Sequence, residues 1–181
     1  MDLQLKGKKA IVTGGSAGIG LAIARMLADE GVEVTIPGRN SKKLNEAIAS
    51  LGRAVHGIEA DLGSAAGAMK LIKQVPETDI LVNNLGIYES KNFADITDEE
   101  WLRYFEVNLL GGIRLARHYF PAMLTRNWGR VIFVSSEAAA ETHICKAWPP
   151  HRMPLPSRLR RSSSTSIVPL RSSSEWRKKA K

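Results

Sequence analysis

The sequence predicts a doubly wound α/β domain, a parallel sheet with helices on both faces, followed by a tail of different character. Three observations predict it. Short apolar runs alternate with helical stretches from Lys9 to Val134, and the first of those runs ends in a glycine-rich loop. All 15 glycines lie before residue 143, whereas five of the eight prolines lie after it. Charge divides the same way: residues 1–142 hold 16 Lys/Arg and 17 Asp/Glu, residues 143–181 hold 10 Lys/Arg and only Glu175, so the formal net charge of +8 belongs to the tail. The expected organisation is a folded domain over 1–142 and a low-complexity, basic Arg/Ser/Pro tail over 143–181, disordered because it has no apolar period.

The elements follow in order. Lys9–Thr13 is a short apolar run ending in glycine, as a buried parallel strand should be. Ile19–Asp29 places Ile19, Ala22, Ile23, Met26 and Leu27 on one helical face, and Gly31 stops that helix. Val32–Ile36 is a second strand. Ser41 is placed to cap a helix to Leu51, with Leu44 and Ile48 facing inward. Ala54–Ala60 is a third strand, Ser64–Val75 a helix, and Asp79–Asn83 a fourth strand. Thr97 and Glu100 have capping-box spacing ahead of a long helix to His118 or Arg126, and Arg130–Val134 is a fifth strand. Strands joined through helices imply parallel pairing with right-handed crossovers. Periodicity alone leaves a flavodoxin-like arrangement equally open.

Composition bounds the function. Cys145 is the single cysteine, so no intrachain disulfide forms, which fits a reducing compartment. No apolar stretch reaches the ~20 residues that cross a membrane, and no signal peptide is read at the N-terminus. A cytoplasmic location, no membrane partner and no bound metal are expected.

The chemistry-bearing residues sit between strands and helices. Thr13-Gly14-Gly15-Ser16-Ala17-Gly18-Ile19-Gly20 joins the first strand to the first helix, where glycines let the backbone approach a pyrophosphate and the helix offers free N–H groups. A glycine-rich turn without a ligand is the plainer reading of that loop taken alone. Its T-G-x-x-x-G-x-G spacing, however, resembles the short-chain dehydrogenase/reductase family, and further matches appear in that family's order. Asp61-Leu62 looks like the pair beside the adenine ring. Asn83-Asn84-Leu85-Gly86 resembles the family's Asn-Asn-Ala-Gly, with Leu85 larger than the usual alanine. Asn108 resembles the tetrad asparagine, and Ser136 the second member of the serine pair that contacts the substrate oxygen.

The resemblance implies a Rossmann-like domain, strand order 3-2-1-4-5, that interconverts carbonyls and secondary alcohols. Gly14, Ser16, Gly18, Ile19, Gly20, Arg39, Asp61, Leu62, Asn84 and Gly86 are expected to line the cofactor, with Ser136 and Asn108 as catalytic candidates. At the end of the second strand Gly38 stands where NAD-binding members place aspartate. Arg39 follows and suits a 2′-phosphate, so NADP is favoured while NAD stays possible. An intact relative is implied to be a homo-oligomer acting on a small-molecule carbonyl or alcohol, and the substrate class is not readable.

The Tyr-x-x-x-Lys pair is the departure. In the family's register Pro149 falls at the tyrosine and Met153 at the lysine. Tyr104 and Tyr119 have no lysine four residues on, and Tyr88 has Lys91 three residues on, after the wrong strand. The sequence therefore predicts a domain cut short at its C-terminal side, by truncation or by a change of reading frame near residue 142, inactive as it stands, with the fifth strand as an uncovered edge. Two other functions compete: a non-catalytic NADP(H)-binding protein, and a binder of nucleic acid or an acidic partner through the basic tail. Nucleic acid is the less favoured, since charge runs are usually solvated.

Overall fold

The structure, a computed structural model, describes residues 3–52 and 54–135 and the backbone of 166–169. Five parallel strands, β1 (Lys9–Val12), β2 (Glu33–Gly38), β3 (Val55–Glu59), β4 (Ile80–Asn83) and β5 (Arg130–Phe133), alternate with helices. The helices are α1 (Gly18–Asp29), α2 (Ser41–Leu51), α3 (Ala65–Gln74), α4 (Asp98–Phe105) and α5 (Gly111–Thr125). A π-turn, Glu106–Leu110, joins α4 to α5. The parallel strands are ordered β3-β2-β1-β4-β5, the expected doubly wound order, and the direction of winding reverses between β1 and β4. Ligands of such sheets bind at that switch point, outside the carboxyl ends of the strands.

The expectation of an uncovered fifth strand is corrected. A sixth strand, β6 (Ser166–Pro169), pairs antiparallel with β5, Phe133 opposite Ser166 and Arg130 opposite Pro169. Ile167 and Val168 are β-branched residues within a tail otherwise poor in strand formers, and an edge with unpaired N–H and C=O groups is a ready template for them. The tail's remaining residues, together with Ser136, Pro149 and Met153, lie outside the described residues.

Both faces of the sheet are apolar, and this is why the strands read as near-continuous hydrophobic runs. Successive residues alternate between two cores. Ala10, Val12, Val34, Ile36, Ile80 and Val82 pack with Ala24 of α1 and with Leu44 and Ala47 of α2. Ile11, Ile58 and Leu81 pack on the opposite face with Leu71 of α3 and with Leu115, Tyr119 and Met123 of α5.

Two local expectations change. The cap of α2 is Asn40, whose Oδ1 accepts from the Lys43 backbone N–H at 3.0 Å, and Ser41 is the first helical residue. On α1 the expected apolar face is half right: Ile23 and Leu27 pack against the core, but Ile19 is 65% and Met26 70% exposed, and the fully buried positions are Gly20 and Ala24. The helix lies too close to the loop before it for large side chains on that side. The Thr97/Glu100 capping box forms as expected, with both reciprocal bonds present.

Candidate functional site

Thr13 directly follows the last residue of β1, and its hydroxyl organises the site. Buried at the sheet's carboxyl edge, Thr13 Oγ1 donates to the Val82 carbonyl at 3.3 Å and accepts from the backbone N–H groups of Asn84 and Leu85, both at 2.9 Å. The loops after β1 and β4 are thereby fixed to one another. Asn84 adds a second tie: its Nδ2 donates to the Thr13 carbonyl at 3.2 Å. Its side-chain amide is thus directed at the glycine loop, which it holds in place.

That loop serves packing on one side and solvent on the other. A Cβ on Gly20 would fall 2.4 Å from the Gly14 carbonyl oxygen, so α1 rests directly on the loop backbone. Gly18 has φ +54°, and a Cβ there would meet nothing within 4 Å. Its N-cap neighbour Ala17 offers no side-chain cap, and the first turn of α1 carries no acidic residue at the positive end of the helix dipole, an arrangement suited to a phosphate.

Beside the loop is a cleft of about 50 Å³ at the carboxyl ends of β2, β3 and β4. It brings together Gly14, Arg39, Asp61, Leu62 and Gly86 from the expected set, with Pro37, Gly38, Ala60, Leu85, Ile87 and Val107 as further walls. Ser16, Gly18, Ile19, Gly20 and Asn84 lie outside its walls, on or against the adjoining loop. Gly38 carries no carboxylate into the cleft. Arg39 is exposed and makes no hydrogen bond or ion pair with any described residue. Asp61 shapes the turn after β3: its Oδ1 accepts from the Gly63 N–H at 3.1 Å, and its carbonyl from the Ser64 hydroxyl at 2.9 Å. Leu62 is buried in the core and walls the cleft.

Asn108 lies in the π-turn. Its Oδ1 accepts from the Ile87 N–H at 2.7 Å and its Nδ2 donates to the Ile87 carbonyl at 3.0 Å. Both ends of the side chain are spent holding the segment that follows Gly86. The structure thus places Asn108 as a clamp on the β4 loop, and Ser136, its expected catalytic companion, lies outside the described residues. Sequence reasoning missed the roles of Thr13 and Ile87. A hydroxyl at the last position of an otherwise apolar strand was the available signal for Thr13; Ile87, which bonds only through its backbone, left none.

The arrangement would suit a dinucleotide: an uncapped helix N-terminus, a glycine-walled cleft and at its rim a cation with no partner among the described residues. Known proteins agree. The family described as short chain dehydrogenase matches residues 8–147. An uncharacterized oxidoreductase of Bacillus subtilis, YvaG, is 48% identical over 144 residues, covering 77% of this chain and 54% of that protein. The 3-oxoacyl-[acyl-carrier-protein] reductase FabG of Aquifex aeolicus is 36% identical, covering 75% of this chain and 58% of that protein. Among solved structures, L-sorbose reductase from Gluconobacter frateurii complexed with NADPH and L-sorbose superposes with a TM-score of 0.73 at 34% identity, over 77% of this chain and 56% of that one. The chain spans little more than half the length of these relatives. On the sequence match and the shared fold together, the chain belongs to the short-chain dehydrogenase family.

Proposed function

We propose that this chain binds NADP(H) in preference to NAD(H), as the nucleotide-holding part of a reductase that interconverts a carbonyl and a secondary alcohol. The observation that carries the reading is the rim of the cleft. Gly38 stands where a carboxylate would bond the ribose 2′-OH and repel a 2′-phosphate, and Arg39 beside it is exposed with no partner among the described residues. The L-sorbose reductase complex with NADPH and the likeness to a 3-oxoacyl reductase support the same direction. The cofactor would supply or accept the hydride. This chain's residues would hold its adenosine and phosphates through the α1 N-terminus, Arg39, Asp61 and the Gly86 segment.

As it stands, the chain binds without turning over. Pro149 and Met153 occupy the positions that the family gives to tyrosine and lysine, and neither can move a proton. Loss of a general acid or base lowers rates by ~10²–10⁴. The test is to titrate the full chain and Arg39→Ala with NADPH and NADH, following cofactor fluorescence. A charge-assisted bond contributes about 1.5–3 kcal/mol, so Arg39→Ala should remove most of the NADPH preference and leave NADH binding unchanged. Equal losses for both cofactors would refute the assignment of Arg39. Ketone-dependent oxidation of NADPH that disappears in Ser136→Ala would refute the absence of turnover.

A further inference from the structure

Behind the cofactor cleft, between the carboxyl end of β4 and the start of α5, lies a second hollow of about 30 Å³. Leu62 and Leu85 form walls of both hollows and divide them. Asn83 faces this inner chamber. It is 7% exposed, and its Oδ1 and Nδ2 are both buried without a hydrogen-bond partner among the described residues. A side chain in this state has lost its hydration and gained nothing in return, which buried polar groups rarely tolerate.

The other polar side chains on the wall are already satisfied. Thr13 Oγ1 is engaged with the β4 loop, and Asn108 with Ile87. Gly112 keeps the chamber open: a Cβ there would fall 2.7 Å from Phe133 Cε1 and 3.2 Å from Asn83 Cγ. Among the described residues no charged side chain lines the space.

We propose that this chamber is a binding site for a single water molecule, held by the Asn83 side chain. The chemistry selects the occupant. Asn83 presents an unpaired donor and an unpaired acceptor, so the ligand must accept and donate. A cation would face Nδ2 unfavourably and an anion Oδ1, and either would be dehydrated among uncharged walls. A water molecule needs roughly 10–15 Å³ of such space and two or more polar partners, and 30 Å³ admits it. The water serves the internal bonding of the fold and is separate from the cofactor cleft, so the NADP(H) reading can fail without affecting it.

Two measurements on the full-length chain test the site. In an NMR experiment on ¹⁵N-labelled protein, the Asn83 side-chain amide protons should show rotating-frame cross-peaks to a long-lived water. Those cross-peaks should be lost in Gly112→Ala, whose methyl group would fill the space. A parent chain without them overturns the proposal, and so does a cross-peak that persists undiminished in Gly112→Ala. If the variant does not fold, a crystal structure of the parent decides. Ordered density within hydrogen-bond distance of both Asn83 Oδ1 and Nδ2 supports the site, and a chamber without density overturns it.

Discussion

The hydroxyl of Thr13 receives two consecutive backbone N–H groups, those of Asn84 and Leu85, each at 2.9 Å. One side-chain oxygen just after β1 therefore sets the course of the chain leaving β4. Thr13→Val keeps the β-branched shape and removes the acceptor, orphaning both amides. Each orphan costs about 1–3 kcal/mol. Urea denaturation should show a loss of that order for Thr13→Val and a distinctly smaller one for Thr13→Ser, which retains the hydroxyl. Equal losses would mean that shape, and not the bonds, matters at this position.

Asn108 should act on the β4 loop locally. In Asn108→Ala the Ile87 N–H loses its acceptor, and a net bond of about 1–1.5 kcal/mol corresponds to roughly tenfold faster opening. Hydrogen exchange at the Ile87 amide should accelerate by that factor while exchange in β1 stays unchanged. Unaltered exchange at Ile87 would remove Asn108 from the role of clamp.

Gly20 offers a test in which two effects oppose. Alanine is favoured over glycine inside a helix by about 1 kcal/mol. At this position its Cβ would lie 2.4 Å from the Gly14 carbonyl oxygen and 2.5 Å from Asn84 Nδ2, and overpacking of that kind costs about 1–3 kcal/mol. Repulsion should win, lowering the melting temperature of Gly20→Ala and weakening NADPH binding, because the loop must shift. A stabilised variant would show that α1 can move away from the loop without cost.

Tyr119 carries a pH dependence. It is buried on α5, its hydroxyl donates to the Val75 carbonyl at 2.6 Å, and burial pushes its pKa up from 10 to about 12. Below pH 10 the phenol is neutral in both folded and unfolded chains, so this contribution is fully present. Between pH 10 and about 12 the unfolded chain ionises first, and stability falls. Tyr119→Phe should be less stable near neutrality by about 1 kcal/mol. It should also lose less stability over that alkaline range, which denaturation at a series of pH values would show. Parallel curves for the two proteins would contradict the burial of the phenol.

Much of this was legible because two-sided burial leaves a strong mark. A strand covered on both faces must be apolar at every position, so β1 and β4 announced themselves as Ala10-Ile11-Val12 and Ile80-Leu81-Val82. Side-chain caps were readable to within a residue: the α2 cap moved from Ser41 to Asn40, since both residue types can accept the same bond. Of the apolar face expected on α1, Ile23 and Leu27 pack on the core, but Ile19 and Met26 were misplaced because hydrophobicity alone was taken as the guide to contact. Steric closeness governs there, and it selects Gly20 and Ala24 over Ile19 and Met26. The antiparallel β6 depended on a long-range pairing with no local signature stronger than Ile167-Val168. The cleft was legible wherever a motif supplied side chains or glycines, and illegible where backbone groups such as those of Ile87 do the bonding.

The π-turn at Glu106–Leu110 gives the helical segment from Asp98 to Thr125 one residue more than a regular path through that turn would need. Each residue of an α-helix advances the direction of the side chains by about 100°. Below the turn, Leu115, Tyr119 and Met123 form a single row aimed at the sheet. The supernumerary residue therefore works as an indexing device, setting which side of α5 meets the core independently of how α4 is oriented. Deleting a residue between 106 and 110 would relax the local geometry into an ordinary helix. It would also turn that row away from the sheet by more than a quarter revolution, so a change that looks like a repair at the turn would be damage at the core.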